Sequence, residues 1–514
     1  MTAARADVLL VHLRAARIPA LAPELLASWA RRDPALAEVV FETAEWEQTD
    51  SAEFVARQIA ARRPKLVGFS CYVWNHRANR ETVRRLKRLL PNTPIVLGGP
   101  EVSGAAEQEL AVLKEADYIC TGEGEETLRG LAHCVLNGIG PLTAVPGLAY
   151  RVDGRFQRNA DAPLIDLSRT VSPFLSGRLN VAGADQVCVE TSRGCPFTCT
   201  FCDWGPRTVR YVDEARLEAE FSLLAGKARM IQSTDADLTV HRARCIRLLE
   251  TFLRATAGSP CVLSFELNPV FLAPEIVTVI SRAPQKFFLA CGIQSIREDV
   301  LKTVERTFDR EKVERNLADL RVRAPGATVL FSAIYGLPGD DYEGLRETVD
   351  WCLQQNPTGI RFNHTQILPG TELERSAPSL GLIYQKDPPH QLLSSPQMNS
   401  ERLSDAREFT AYFTVLMSWP DLRRSLMAAV HSRPAEPMAY VRIVEAWVEA
   451  VKSSGIPFGS DDWRKIDDRL VHSLGEAACE RLQADPMSLA QLTHVTERVA
   501  RSWREAARAP QHQA

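Results

Sequence analysis

The chain has 514 residues, too many for one ordinary domain, and its 45% hydrophobic and 24% charged content is that of a globular fold. A formal net charge of −3 over that length leaves no basic footprint for nucleic acid. No apolar run approaches the roughly 18 residues a membrane span needs.

The opening segment MTAARADVLLVHLRAARIPALAPE holds a short apolar run with Asp7 before it and Arg14 soon after it, the pattern of a first β-strand rather than a signal peptide. The expected compartment is the cytoplasm. Twelve cysteines are present, nine of them scattered singly: Cys71, Cys120, Cys134, Cys188, Cys245, Cys261, Cys291, Cys352 and Cys479. Within apolar stretches such thiols act as small hydrophobes, and no secreted disulfide framework is expected.

Residues 1–140 alternate strand-like runs with helix-period stretches. The strands are DVLLVHL (7–13), KLVGFSC (65–71), PIVLGG (94–99) and DYICTG (117–122). The helices include SAEFVARQIAARR, RANRETVRRLKRLL and GAAEQELAVLKEA. This alternation predicts a Rossmann-like parallel sheet covered on both faces, with ligands beyond the carboxyl ends of its strands. The polar and glycine-rich tips SCYVWNH, GGPEVSG and TGEGEE all fall at that edge and favour a cofactor there. Residues 141–183 hold a predicted hairpin, PGLAYRVDGRFQRN with a D-G turn, and the proline-containing linker DAPLIDLSRTVSPF.

A second array fills 184–400. Its strands are QVCVETS (186–192), ARMIQST (228–234), CVLSFEL (261–267), KFFLACGIQS (286–295), ATVLFSAIYG (327–336) and GIRFNHTQIL (359–368), with helical patterns between them. Six β/α units predict a partial barrel, open where a full one has eight. From 401 to 514 the pattern is helical, and the terminal RAPQHQA is expected to fray.

Just after the first strand of that array lies RGCPFTCTFCDWG, with Cys195, Cys199 and Cys202 on one short loop. Soft thiolates select zinc, copper(I) or iron–sulfur clusters. A closed zinc site wants a fourth ligand, and no second C-x2-C or H-x3-H pair stands nearby. A cubane held by three cysteines leaves one iron open to a small molecule.

CPFTCTFC resembles the CxxxCxxC signature of the radical S-adenosylmethionine (radical SAM) superfamily, including the aromatic before the third cysteine. The resemblance implies that the three cysteines ligate a 4Fe–4S cluster, that its open iron chelates SAM, and that one electron converts SAM to methionine and a 5′-deoxyadenosyl radical. Carried over by position, the SAM contacts would be Phe201 beside the adenine, Asp235 in STDAD, Glu266 in FELNP, Gln294 and Ser295 in GIQS, and Gly336 (with Gly339) in YGLPGD. STDAD departs from the family's usual Gly-Gly-Glu. Arg193, beside the motif, has the chemistry to pair with a carboxylate. His364, Tyr384 and His390 are within the region that would meet substrate, but no spacing rule supports that role and each reads better as structural.

A flavodoxin-like domain with LGGPEVS and TGEGE before such a barrel resembles the cobalamin-binding radical SAM class, over residues 1 to about 400. By that resemblance Gly98, Gly99, Pro100 and Glu101 would lie against the corrin edge, Gly122, Glu123 and Gly124 near the nucleotide tail, and the loop Tyr72, Val73, Trp74 and Asn75 on the lower face of cobalt. No D-x-H-x-x-G occurs, so no histidine of that motif is available as a lower ligand. The class implies a methyltransferase using SAM twice, once to charge cobalamin with methyl and once to make the radical that opens a carbon centre of a small-molecule or peptide substrate. An external electron donor such as flavodoxin or ferredoxin is implied, with neither nucleic acid nor membrane as partner. A cyclase or rearrangement enzyme using cobalamin as a redox partner is the alternative, and a non-catalytic cluster- or corrinoid-binding sensor the second.

Overall fold

The computed structural model describes residues 6–430, 437–454 and 486–508. Cys479, parts of the helical 401–514 region and all of RAPQHQA but Arg508 lie outside them. The described chain divides into two compact units: one runs to Glu266 and takes in 285–287 and 367–375, and the other comprises 267–284, 288–366 and 376 onward.

In the first unit, β1 (Val8–Arg14), β2 (Phe41–Glu47), β3 (Leu66–Ser70), β4 (Ile95–Gly98) and β5 (Tyr118–Cys120) pair in parallel in the order 2-1-3-4-5, the flavodoxin-like arrangement. Six helices connect or flank them: α1 (Leu21–Ala30), α2 (Ala52–Ala61), α3 (His76–Leu89), α4 (Pro100–Ser103), α5 (Ala106–Val112) and α6 (Glu125–Ala132). Strand periodicity divides the burial. Leu9, Val11 and Leu13 pack into one core with Val55, Ile59, Val83 and Leu86, while Val8 and Leu10 pack into the other with Ala27, Leu128 and Leu131. A sheet clothed on both faces therefore reads as an unbroken apolar run in β1.

Sequence patterning misses β2, FETAEWE. It is an edge strand in which charged residues alternate with apolar ones, and its parallel register to β1 (Val8↔Phe41) supplies the pairing that its composition does not announce. The predicted hairpin forms as β6 (Leu148–Val152) and β7 (Arg155–Arg158), with Asp153 and Gly154 both at positive φ (50° and 78°). It is not a separate element: β6 pairs antiparallel with β5 and extends this sheet to seven strands.

One buried ion cluster ties α3 to α5. Glu109 faces His76 Nε2 at 3.1 Å and accepts two hydrogen bonds from Arg80 Nε, at 3.1 and 3.2 Å. Burial alone would raise the Glu109 carboxyl, but the His76 and Arg80 hydrogen bonds and charges outweigh it and hold the group at about 2, below its ordinary 4.5. A depressed folded pKa gives stability that is complete above the unfolded value and is lost as pH falls through the folded one. Acid titration of the intact protein should show a Glu109-dependent loss of stability between about pH 4.5 and 2, and Glu109→Gln should flatten that segment of the curve.

The second strand–helix array begins in the same unit. β8 (Gln186–Val189), then the short antiparallel ribbon of β9 (Ser192–Arg193) and β10 (Arg210–Tyr211), lead to β11 (Met230–Ser233) and β12 (Val262–Leu267). β11 runs parallel to both β8 and β12. Residues 367–375 return to this unit: Leu373 N–H donates to Thr200 O at 2.8 Å, and a Cβ on Gly104 would stand 2.6 Å from Gly370 Cα.

The second unit continues the alternation with the parallel strands β13 (Phe287–Gln294), β14 (Thr328–Tyr335) and β15 (Gly359–His364). All six strands expected of a partial barrel are thus present in order. Helices Ser400–Ser418, Pro420–Val430, Ala439–Ser453 and Pro486–Arg508 complete this unit, with Trp447 buried and its Nε1–H on Thr496 Oγ1 at 2.9 Å. Among the described residues no helix is long and apolar enough to cross a membrane.

Candidate functional site

A cavity of ≈ 680 Å³ opens at the carboxyl edge of the seven-stranded sheet. Gly98 and Gly99 line it after β4, and Gly122, Glu123 and Gly124 after β5. Gly122 has φ 73°, a left-handed backbone that favours glycine, and its Cβ would project into open space with no atom within 4 Å. Tyr72 and Trp74 line the same space, their rings stacked at 4.4 Å and 9°. Val73, Pro100 and Glu101 do not line it: Pro100 opens α4, and Glu101 is buried.

Sequence reasoning missed His12, which lines the cavity two residues beyond Leu10 on the same strand face. His12 Nδ1 and Ser70 Oγ hydrogen-bond at 3.1 Å, and Tyr72 meets the imidazole edge-on at 5.9 Å. Burial, then the Arg14 charge, lowers His12 to about 4, which keeps the ring neutral. An apolar arm of the cavity is formed by the segment from Ile18 to Leu26 together with Leu128 and Leu131.

The cavity's remaining wall comes from the second array. Cys188, Glu190, Arg193, Thr234 and Trp204 line it. Trp204 is 47% exposed and follows the third motif cysteine by two residues, a sequence cue that went unused. The cysteine loop springs from the β9–β10 ribbon. Gly194, at φ 105°, makes the entry turn, where a Cβ would collide with the Thr208 carbonyl. Cys195 N–H donates to Pro206 O (3.0 Å) and Cys202 N–H to Cys199 O (3.1 Å). All three thiols are free of disulfides, Cys195 and Cys199 half-buried and Cys202 exposed, with Phe201 half-buried between them. Among the described residues no three His, Cys, Asp or Glu side chains already converge on one point as a metal site. Three thiols on one loop nevertheless have the donor chemistry for an iron–sulfur cluster, and the glycine-lined cavity has open space of the kind a large planar cofactor needs.

Two buried knots fix the ribbon. Asp235, 2% exposed, accepts hydrogen bonds from Thr191 Oγ1 (2.9 and 2.7 Å), Ser192 Oγ and Ser233 Oγ. Arg244 adds a charge at 3.8 Å and donates to Thr191 O at 2.6 Å. The carboxylate expected to face SAM also anchors the strand that leads into the cysteine loop, and with Ser192, Gly194 and Pro196 it lines a small pocket beside that loop. Asp235→Ala would strand these buried hydroxyls and should cost on the order of 3 kcal/mol in chemical denaturation.

On the other side, Arg193 donates from Nε to Glu190 Oε1 (2.8 Å), from Nη2 to Glu190 Oε2 (3.1 Å) and from Nη1 to Glu125 Oε1 (2.8 Å). Glu123 Oε2 stands 3.3 Å from the same Nη1. Burial pushes the Glu125 carboxyl up against the opposing pull of Arg193. Arg210 grips Glu123 with Nη1 (3.0 Å) and Nη2 and donates to Ile165 O (2.8 Å).

The other expected SAM residues sit at strand ends. Glu266, on β12, receives Leu238 N–H on its carbonyl at 3.0 Å. In the second unit Gln294 ends β13 at φ 71° beside a bulge, and Ser295 is fully buried, its Oγ accepting from Arg297 N–H at 3.2 Å. Gly336 follows β14 at φ 82°, and Gly339 lies beyond it at φ 87°. His364 stacks on Tyr335 at 4.9 Å and is lowered to about 4 by burial, then by Arg407. Tyr384 lies 3.8 Å beneath Lys386 Nζ, and His390 is buried.

The chain matches the B12 binding domain family over residues 19–132 and the Radical SAM superfamily over 189–352. It is 33% identical over 330 residues to the cobalamin-dependent radical SAM methyltransferase TokK of Streptomyces tokunonensis, covering 60% of this chain and 48% of that one. It is 29% identical over 404 residues to the 2-(S-pantetheinyl)-carbapenam-3-carboxylate methyltransferase of Streptantibioticus cattleyicolor, covering 71% and 56%. The chain therefore spans about half the length of these curated relatives. Among solved structures its fold resembles the cobalamin-dependent radical enzyme OxsB with aqua-cobalamin and SAM bound (TM-score 0.66, 15% identity, 97% of this chain and 84% of that one). It also resembles the methyltransferase TsrM of Kitasatospora setae with cobalamin and a [4Fe-4S] cluster bound (0.60, 20%, 74% and 78%). With both domains matched in this order, the chain belongs to the cobalamin-binding class of the radical SAM superfamily.

Proposed function

We propose that this protein is a methyltransferase that moves a methyl group onto a carbon centre of a small-molecule or natural-product substrate. The observation that carries this reading is the single cavity walled on one side by the glycine tips of the N-terminal sheet and on the other by residues flanking the cysteine loop. When bound, a 4Fe–4S cluster with SAM supplies hydrogen-atom abstraction, and cobalamin supplies a transferable methyl group.

In this reading Cys195, Cys199 and Cys202 hold the cluster. Phe201, Glu266, Gln294, Ser295 and Gly336 serve SAM, and Asp235 serves it by anchoring the loop's leading strand. Gly98, Gly99, Gly122, Glu123 and Gly124 admit the corrinoid. Tyr72 and Trp74, backed by neutral His12, offer a flat, largely apolar face that keeps water off one side of it. Electrons come from an outside carrier of the flavodoxin or ferredoxin kind. The carbapenam carboxylate of the second relative is the first substrate to test.

The test uses the full chain, reconstituted without oxygen with iron, sulfide and hydroxocobalamin, then given a reductant and SAM labelled in its methyl group. Expected products are 5′-deoxyadenosine, S-adenosylhomocysteine and labelled product. Label that stays out of a changed substrate, with 5′-deoxyadenosine still formed, would replace methyl transfer by cyclisation or rearrangement. Failure to make 5′-deoxyadenosine at all would overturn the enzymatic reading in favour of a sensor.

A further inference from the structure

We propose that Arg193 is a positioning residue that couples the glycine-rich wall of the cavity to the cysteine loop, so that filling one tightens the other. This rests on the reading that the cavity takes a corrinoid and the loop a cluster. Arg193 ends β9, one residue before the Gly194 turn and two before Cys195. Its guanidinium holds Glu190 with two N–H groups and reaches 68 residues back along the chain to Glu125, with Glu123 beside it.

Glu123 and Glu125 bracket Gly124, and the turn that carries them lines the cavity. Arg210, paired with Arg193 across the ribbon, grips Glu123 from the second strand. Both strands of the ribbon therefore hold the same turn. These pairs are largely shielded from water, so salt screens them little. The fork geometry matters as much as the charge, because a lysine ammonium cannot address Glu190 and Glu125 in two fixed directions.

A loop ordered by its cluster fixes Arg193, Arg193 fixes Glu123 and Glu125, and these fix the wall against which a corrinoid rests. By linkage the effect is reciprocal. The test measures hydroxocobalamin affinity by absorbance titration of the full chain, with and without prior reconstitution by iron and sulfide. Reconstitution should tighten binding about ten-fold in the unaltered protein. Arg193→Gln, Arg193→Lys and Glu125→Gln should each bring that ratio to within about two-fold. Bound iron should remain near the unaltered level in all three. Arg346→Gln, which breaks a pair with Glu445 far along the chain, should keep the full ratio.

A ratio near one in the unaltered protein, or a ten-fold ratio surviving in Arg193→Gln and Glu125→Gln, would overturn the coupling while leaving the proposed function standing. Absence of hydroxocobalamin binding in every form would overturn the reading of the cavity as well. Should Arg193→Gln unfold, Arg193→Lys and Glu125→Gln carry the test.

Discussion

Simultaneous replacement of Cys195, Cys199 and Cys202 by alanine should reduce 5′-deoxyadenosine formation to that of a protein-free control and bound iron to trace levels. A cluster cannot be held by a loop stripped of all its thiolates, and the nearest remaining cysteines do not lie on that loop. The fold should survive, because two of these side chains are half-buried and one is exposed, and none belongs to the hydrophobic core. The melting temperature of the cluster-free triple variant should therefore stay within about 3 °C of the cluster-free unaltered protein, since surface substitutions change stability by about 0.5 kcal/mol. Retained reductive cleavage of SAM by this variant would remove the cysteine loop from the chemistry altogether.

Gly99→Ala should have the second large effect, and on a different quantity. Gly99 has φ 117° and ψ 170°, a region open essentially to glycine alone, and its Cβ would collide with the Cys71 carbonyl. Cys71 N–H in turn donates to Gly98 O at 2.7 Å, so the collision falls on the link between the two strand tips. The expected cost is about 2–4 kcal/mol in chemical denaturation, together with a loss of corrinoid affinity. Gly122→Ala makes the contrast. Its φ of 73° costs only about 1 kcal/mol for alanine, and its methyl would meet no atom, yet the residue lines the cavity. Affinity should fall in both variants, but stability should fall severely only in Gly99→Ala. Equal stability losses would mean that the wall is held by something other than the Gly99 backbone.

The parts of this molecule that could be read from its sequence are those whose cause is local. The apolar run of β1 announces a strand buried on both faces, Asp153-Gly154 announces a tight turn, and C-x3-C-x2-C keeps three thiols on one loop whatever surrounds it. The attachment of the hairpin to β5 was not legible, because edge pairing depends on which strand is left open nearby. Nor was β2, whose alternating charges resemble a solvated segment. Asp235 and Arg193 were noticed as chemistry, but their roles depend on partners 44 and 68 residues away, Thr191 and Glu125, and no spacing rule joins such residues. Pro100 and Glu101 miss the cavity because a helix begins at that point, whereas the glycines just before it do not.

The return of residues 367–375 to the first unit bears on how the protein is made. The cysteine loop gains its Leu373–Thr200 hydrogen bond, and Gly104 its close neighbour, only from a segment translated about 100 residues after Glu266 and about 80 after the short return at 285–287. At roughly 5–20 residues per second this is a delay on the order of 5–20 s. During that interval the cysteine loop exists without its strap. A cluster on Cys195, Cys199 and Cys202, as proposed above, would therefore find its loop strapped only once residues 367–375 have joined the unit.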